Sequence, residues 1–418
     1  LNIFSDFVAT DLTFSLFKSP IIIISIGLLL LVVTVLSGFY PSILLSKVNT
    51  VAVLKNQISI GNQKVGLRKF LTVFQFTIAQ IFIIGTLLVG KQINCLLSKD
   101  MGFITDAIVS VFGPRAEGEL AKKTLYAEKL KAIPEISKIS IGGYAPASNS
   151  INSTNTTFKN GEKQVKSELQ FIFGDTEYLD LFSIQLLAGR TFLNDTINEF
   201  VINETYSKIL GFNNPEDAIG KRVSLHDRDV PIVGVMADFH QRSLKTKIKP
   251  MALQGDWYRK YFSQYQAVHI AFNNTSPEQL KRTLEKIQNT YNSVYSETED
   301  YRLEFMDETV ANFYKRERKV SKLLNWSTGL SILISFLGLL GLVIYTSNRR
   351  VKEIGVRKVL GATLLQINTL LCKEFLILVA IAFVIAVPIA YYGINNWLQD
   401  FAYRTTISFW VFLVSGFA

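Results

Sequence analysis

Apolar and polar positions divide this chain into long charge-poor runs and one extended stretch with a much shorter hydrophobic period. The runs are Ile21 to Leu45, Phe70 to Val89, Leu323 to Thr346, Asn368 to Tyr392, and a shorter one from Ile407 to Ala418. At helical rise, about 20 apolar residues cross the hydrocarbon core of a bilayer. The first four runs meet that length, and the last stops about halfway. The pattern predicts an α-helical integral membrane protein with about four complete crossings plus a truncated fifth. A large mixed α/β domain, expected on the extracytoplasmic side, is inserted between the second and third crossings.

Within that insertion, Lys99 to about Asp307, short β-rich runs alternate with helical patterns. Strands are expected at Ala107 to Phe112, Glu168 to Phe173, Phe200 to Ile202, Pro231 to Val235, Ala267 to Phe272 and Arg302 to Phe305. Helices are expected at Glu117 to Ala132, stopped before Pro134, and at Pro277 to Tyr295. For the second, Ser276 is the N-cap and Pro277 the first helical residue. Asn160-Gly161 between polar strands reads as a hairpin turn. From Asp307 the helical pattern runs into the third crossing with no Gly or Pro before Gly329, which predicts one continuous stalk-plus-membrane helix. Pro388 should kink the fourth crossing, with Tyr391, Tyr392 and Trp397 at its interfacial end.

The formal charge of +10 raises the question of an anionic partner. Lys99 to Lys315 holds 26 basic against 28 acidic residues, whereas the rest of the chain holds 18 against 6. The excess therefore belongs to the membrane flanks, and no nucleic-acid partner is expected. Two basic loops, 46 to 69 and 347 to 368, are separated by two crossings and must share a side. Positive charge in short loops places them in the cytoplasm and the inserted domain outside. The basic cluster from Lys315 to Lys322 argues the other way, but it flanks a long domain, which translocates largely regardless of charge. Cys95 and Cys372 lie near opposite membrane faces on this topology and are expected as free thiols.

Chemical motifs are sparse. Pro215-Glu-Asp-Ala-Ile-Gly220-Lys221 has part of a phosphate-loop spacing, but Pro215 stands where the first glycine belongs and Arg222 where a magnesium-binding hydroxyl belongs, so it reads as a turn before a strand. Asp238-Phe239-His240, with His226 and His269 elsewhere, lacks metal-ligand spacing and reads as a structural loop. Asp175, Asp180 and Glu204 sit where helix starts would use them as caps. No catalytic, cofactor or metal site is expected. Ser327, Ser331 and Ser335, with Gly338 beyond, form a small-residue stripe suited to close helix packing in lipid.

The most specific stretch is Asn348 to Thr363. Arg349, Arg350, Lys352, Arg357 and Lys358 surround Glu353, which is spaced i,i+4 to Arg357 in the order that favours a helical ion pair. Ile354, Val356, Val359 and Leu360 leave apolar side chains among those charges, while Gly355 and Gly361 allow close approach or end a helix. Such a short helix suits docking on a cytoplasmic protein.

Arg349 to Thr363, RRVKEIGVRKVLGAT, resembles the cytoplasmic loop of the MacB/FtsX-type ABC transporter permeases. Leu67 to Gly90 with Lys99 to Phe103 is similar to that family's entry crossing, and Pro231 to Leu253 to part of its extracytoplasmic core domain. Asn49-Thr50-Val51 departs from the family's Asn-Pro-Val. The resemblance implies a MacB-like periplasmic core domain in a multi-pass bacterial inner-membrane protein. It also implies a separate cytoplasmic ABC ATPase that binds the ATP and docks on Arg349, Arg350, Lys352, Glu353, Ile354, Gly355, Arg357, Lys358 and Gly361. Further implied partners are the lipid bilayer, an extracytoplasmic adaptor or outer-membrane protein, and a second permease module in the same chain or a second copy. Residues 1 to 55 would end a preceding module, an expectation supported by the echo between Ser5 to Ala9 and Gln399 to Tyr403. The later module would comprise a basic loop (56 to 69), a crossing (70 to 97), the core domain (98 to 306), the stalk and crossing (307 to 346) and the coupling loop (347 to 368). A crossing (369 to 392), a short outer loop (393 to 406) and a truncated crossing (407 to 418) would follow. The serine stripe would then face the matching helix of the other module. The leading expectation is a permease that turns cytoplasmic ATP hydrolysis into motion of the outer domain. The alternative is an FtsX-like regulator of an outside partner such as a cell-wall hydrolase.

Overall fold

The computed structural model describes residues 20–46, 63–114, 119–148, 150–160, 163–226, 228–259, 263–273, 276–295 and 301–417. The Ser5 to Ala9 echo, Asn49 to Val51, Gly161 and most of the first basic loop lie outside them. The elements in chain order are α1 (Pro20–Ser46), α2 (Gln63–Ser98), β1 (Ile108–Phe112), α3 (Glu119–Leu130), β2 (Ile136–Gly142), β3 (Asn152–Asn160), β4 (Lys163–Phe173) and α4 (Tyr178–Leu181). Next come β5 (Leu186–Gly189), β6 (Phe200–Asn203), α5 (Glu204–Ile209), β7 (Arg222–Leu225), β8 (Arg228–Met236), β9 (Met251–Gln254), β10 (Ala267–Phe272), α6 (Pro277–Asn292) and β11 (Arg302–Phe305). The chain closes with α7 (Met306–Phe313), α8 (Lys315–Arg349), α9 (Val351–Val359), α10 (Leu364–Leu398) and α11 (Phe409–Phe417). They divide into two units. One is residues 88–318 with 393–407, and the other is residues 1–87, 319–392 and 408–418.

The first unit is the mixed α/β domain, built on two sheets. A four-stranded antiparallel sheet has the order β11-β1-β10-β2. Alternation along β1 turns Val109 and Val111 towards a core shared with Tyr126 and Leu130 of α3 and Ile287 and Tyr291 of α6. Ser276 and Gln279 form both halves of a capping box at α6, with Pro277 in its first turn, as the sequence predicts. The second sheet has the order β5-β8-β6-β9-β4-β3-β7, and β8 also pairs with β7. The long β8 serves both ends, and the sheet closes around Phe158, Phe200, Ile202, Val223 and Ile232. The β3–β4 hairpin pairs Asn160 with Lys163. Pro215–Ala218 is a single 3-10 turn leading through Gly220, at φ +79, into β7. This is the turn before a strand that the departures from a phosphate loop indicated.

Asp238-Phe239-His240 is structural. Asp238 accepts hydrogen bonds from the Asn203 amide (2.8 Å) and from the backbone N–H (2.9 Å) and hydroxyl (2.6 Å) of Thr205. Phe239 is core, and the His240 ring meets Tyr403 edge-on at 5.0 Å. Of the three expected caps, Asp175 accepts from Glu177 N–H (3.2 Å) but also ties α4 to β2 through the Ser140 hydroxyl and Ile141 N–H. Asp180 lies inside α4 and pairs with Lys138 at 2.7 Å. Asn203, not Glu204, caps α5.

The expected continuous stalk helix is broken at Tyr314, whose backbone leaves the helical region between α7 and α8. The cause is local packing. Tyr314 is fully buried in a cluster with Leu96, Leu244 and Phe401, and its hydroxyl accepts the Leu244 N–H at 3.0 Å. Lys245 pairs with the buried Glu317 one turn further on. The same small cluster receives Ala402 N–H on the Lys245 carbonyl, and the Gln92 side chain bridges the backbones of Tyr403 and Thr405.

Among the described residues, three helices are long and apolar enough to cross a membrane: Arg68–Ser98, Lys315–Asn348 and Leu364–Leu398. The first run forms α1, Pro20–Ser46, which includes the apolar stretch Ile23–Val35. Four complete crossings and a truncated fifth were expected from composition; three of the described helices have the length and apolar character for one. Pro388 does lie inside α10, and both cysteines are free.

Candidate functional site

The candidate site is the turn that joins α8 to α10, together with the helix ends that hold it. Helix α8 stops at Arg349. Arg350 takes a non-helical backbone, φ −102 and ψ 11, and α9 begins at once. The break falls where the Arg350 guanidinium is drawn to Glu374 of α10, at 2.5 Å. Lys69 of α2 approaches the other oxygen of Glu374 at 3.8 Å, and Arg68 of α2 lies over the Tyr345 ring at 3.8 Å. One carboxylate, about three turns into α10, therefore ties that helix to the end of α8 and to the first turns of α2.

At its other end α9 closes with a Schellman motif. Gly361 N–H bonds to the Lys358 carbonyl at 3.2 Å and Ala362 N–H to the Arg357 carbonyl at 2.9 Å. This arrangement requires a left-handed residue, and Gly361 has φ +90. Thr363 and Gln366 then exchange side-chain-to-backbone hydrogen bonds, a capping box that starts α10. With a pinned entrance and a capped exit, the loop has a defined shape.

None of the nine residues of α9 is buried. Val356 is 60%, Val359 89% and Leu360 80% exposed, and their i, i+3, i+4 spacing puts them on one face. Lys352 and Lys358 are exposed beside them, and Ile354 is half-buried. Glu353 and Arg357 form the expected i,i+4 ion pair at 2.8 Å, with both partners about half exposed. Gly355 sits mid-helix with open space where a Cβ would stand, so it neither ends α9 nor admits another described backbone segment of this chain. The nine expected loop residues thus divide. Arg350 is an internal anchor, Glu353 and Arg357 pair with each other, Gly361 is the cap, and Lys352 and Lys358 flank the apolar face. For Arg349 only the backbone is described.

The small-residue stripe packs against a helix of this same chain. Ser335 is buried and donates to the Gln75 carbonyl of α2 at 3.3 Å, while Thr328 and Thr86 share a hydrogen bond of 2.7 Å. A Cβ on Gly338 would stand 2.3 Å from the Gln75 side-chain oxygen. Partner numbers on α2 fall as those on α8 rise, so the two helices run antiparallel. Ser327 and Ser331 are half-buried on the same side. Within this chain, Ser335 and Gly338 of the stripe lie against α2. A second stripe escaped sequence reading: Leu378, Ala382, Ala386 and Ala390, buried at four-residue spacing on α10. Its signal was the recurrence of alanine every fourth residue in an otherwise bulky run. Among the described residues no cluster of His, Cys, Asp or Glu could hold a metal ion.

Residues 69–289 match the MacB-like periplasmic core domain, and residues 327–418 match the FtsX-like permease C-terminal family. The chain belongs to the MacB/FtsX-type ABC transporter permeases. The uncharacterized ABC transporter permease YknZ of Bacillus subtilis (strain 168) is 23% identical over 223 residues, 52% of this chain and 55% of that protein. The chain thus spans about half the length of that relative. Among solved structures, the periplasmic region of MacB from Actinobacillus actinomycetemcomitans aligns at 15% identity and a TM-score of 0.36, covering 52% of this chain and 96% of that one. The extracellular domain of the YknZ transporter from Gram-positive bacteria aligns at 14% and 0.31, covering 47% and 99%.

Proposed function

We propose that this permease receives force from a separate cytoplasmic ABC ATPase through α9, and that helix α8 carries that force towards the core domain. The observation that supports the reading is the uncovered apolar face of Val356, Val359 and Leu360 on a helix fixed at both ends. A helix this polar at its edges and this apolar on one face is the shape that docks into a groove of a partner protein. Exposed apolar groups on a loop beyond the crossings serve neither the lipid nor this chain's own core. The ATP belongs to the partner, and this chain contributes no catalytic group. In this reading the two basic loops are cytoplasmic, and the core domain lies outside the bacterial inner membrane, where it moves a substrate or an adaptor. A second permease module, in the same chain or as a second copy, completes the transporter.

The test is a pair of variants at the free part of the loop. Val359→Glu, and Lys352→Glu combined with Lys358→Glu, should keep expression and membrane insertion while reducing co-purification with the ATPase, and its stimulation, at least tenfold. Arg350 is unsuitable, because its loss would free Glu374. Variants that bind and stimulate the ATPase like the parent would reduce the loop's charges to topology signals. The orientation is checked separately, by labelling single cysteines at Asn160 and Lys64 with an impermeant reagent in spheroplasts. Label at position 64 and not at 160 would invert it.

A further inference from the structure

Within the α/β domain, a hollow of about 500 Å³ opens on one side of the closed sheet, between β3, β4 and the loop after β9. That volume falls in the range of roughly 300–1,000 Å³ typical of small-ligand sites. The half-buried Phe173 and Trp257 supply aromatic surface above the buried Phe171, and Asn152 and Gln264 supply carboxamides, with Gln254 buried behind them. Asp256, next to Trp257, is held in place. Asp256 is 1% exposed and accepts the Ser263 hydroxyl at 2.6 Å and the Gln264 N–H at 3.1 Å. Trp257 in turn donates its indole N–H towards Gln254 at 3.4 Å and has Arg228 over its ring at 5.2 Å. At the rim, His226 opens the two-residue turn between β7 and β8 and adopts φ +47, as such hairpin turns require.

We infer that this hollow binds a neutral saccharide bearing acetamido groups. Aromatic faces pack against the C–H faces of sugar rings. Side-chain carboxamides offer a donor and an acceptor side by side, as an acetamido group or a pair of hydroxyls does. An acyl chain would leave those carboxamides desolvated and unpaired, which is unfavourable. An anion gains little, since Arg228 and Asp256, the one cationic and the one anionic side chain lining the hollow apart from the imidazole of His226, offset each other. The site lies wholly within the α/β domain, and its occupancy does not depend on the coupling role of α9.

The experiment is a titration of the intact chain in lipid nanodiscs, free of alkyl-glycoside detergents, with triacetylchitotriose followed by saturation-transfer NMR and calorimetry. Specific binding is expected, weakened at least tenfold when the acetyl groups are removed from the sugar. Trp257→Ala should abolish it. Gln264→Ala retains the backbone hydrogen bond to Asp256, so the loop stays folded, and it should weaken binding about tenfold. Unchanged hydrogen exchange of β4 and β9 in both variants confirms that the domain is intact. Absence of sugar binding by the parent, equal binding by Gln264→Ala with the fold intact, or binding of tetra-alanine in place of the sugar would each overturn the proposal.

Discussion

The two units of this protein solve the same problem, holding chain segments together, with opposite means. In the α/β domain, apolar burial drives assembly, and polar groups are admitted only when fully paired. Asn203 is the extreme case. Its amide donates to Asp238 and to the Lys249 carbonyl, and its oxygen accepts the N–H groups of Tyr206 and Met251, all without exposure. In the membrane unit, the helices are apolar on nearly every side and lipid competes equally for their surfaces. What distinguishes one face from another there is side-chain size and a few polar contacts. Specificity in the domain comes from hydrogen bonds satisfied in a dry interior, and in the membrane unit from the absence of side chains along a stripe.

That difference orders the expected effects of substitution. Asn203→Ala should be the most damaging change, because it strands two donors and two acceptors at once. A loss of about 3–4 kcal/mol is expected, readable as loss of hydrogen-exchange protection in β6, α5 and β9. A much smaller loss would mean that the network is not cooperative. Gly338→Leu comes next, at about 1–3 kcal/mol by overpacking against Gln75. It should separate α8 from α2 within one chain, seen as loss of a disulfide between cysteines placed at Thr86 and Thr328. Ser335→Ala at the same seam should cost only about 0.6 kcal/mol, the usual worth of a hydrogen bond between membrane helices. Equal effects of the two would show that polarity, not size, defines the seam.

What the sequence made legible follows the same division. Helices long and apolar enough to cross a membrane announce themselves by uninterrupted apolar runs, and α9 by its alternating charges and its closing glycine. The serine stripe was readable as a seam, yet its partner was not. Ser335 would suit any helix able to approach closely, and only the register of Gln75 and Thr86 selects α2. The break at Tyr314 left no local signal either. It contains no glycine or proline and arises from Leu244 and Phe401, far away in sequence. The role of Arg350 was hidden for a similar reason. From sequence it is one of five similar cations, and only the placement of Glu374 makes it an anchor. In the α/β domain β1, β4, β6, β8, β10 and β11 were visible and the polar β3 showed through its turn, whereas β2 and the fully buried β9 went unread and β5 and β7 were too short to show a period.

A pH experiment probes the domain's dry interior more gently. Burial pushes Asp175 up to about 6 and pushes His269 down to about 3. Asp175 takes up its proton more readily folded than unfolded, so it adds stability as pH falls from 6 towards the ordinary carboxylate value of 3.8. His269 takes up a proton only when unfolded over most of the same range, so it removes stability as pH falls below 6.5. The two slopes oppose each other. Replacing His269 by Gln should therefore tilt the profile relative to the parent, with relative stability rising on the order of 1 kcal/mol per pH unit between pH 6 and 4. Exchange protection of β1 and β10 is the readout. A variant profile parallel to the parent's would show that His269 is already protonated in the fold.

The smallest effect belongs to the membrane unit's exposed loop. Glu353 and Arg357 are each 46% exposed and lie one helical turn apart, so water and salt screen their attraction, and the pair is worth about 0.3–0.5 kcal/mol. Glu353→Gln should leave α9 folded, because its Schellman cap at Gly361 and the Arg350 anchor do not depend on that pair. The variant would, however, release the Arg357 guanidinium. If α9 docks on an acidic groove, the freed cation should strengthen co-purification of the ATPase a few-fold at low salt, with the gain vanishing as ionic strength rises. If Glu353 itself contacts the partner, the same variant should bind more weakly. Measuring ATPase capture across a salt series with Glu353→Gln and with Arg357→Gln therefore separates the two. A pair that serves only the helix gives no change in either variant, and docking then falls to the apolar face of Val356, Val359 and Leu360 with Lys352 and Lys358 beside it.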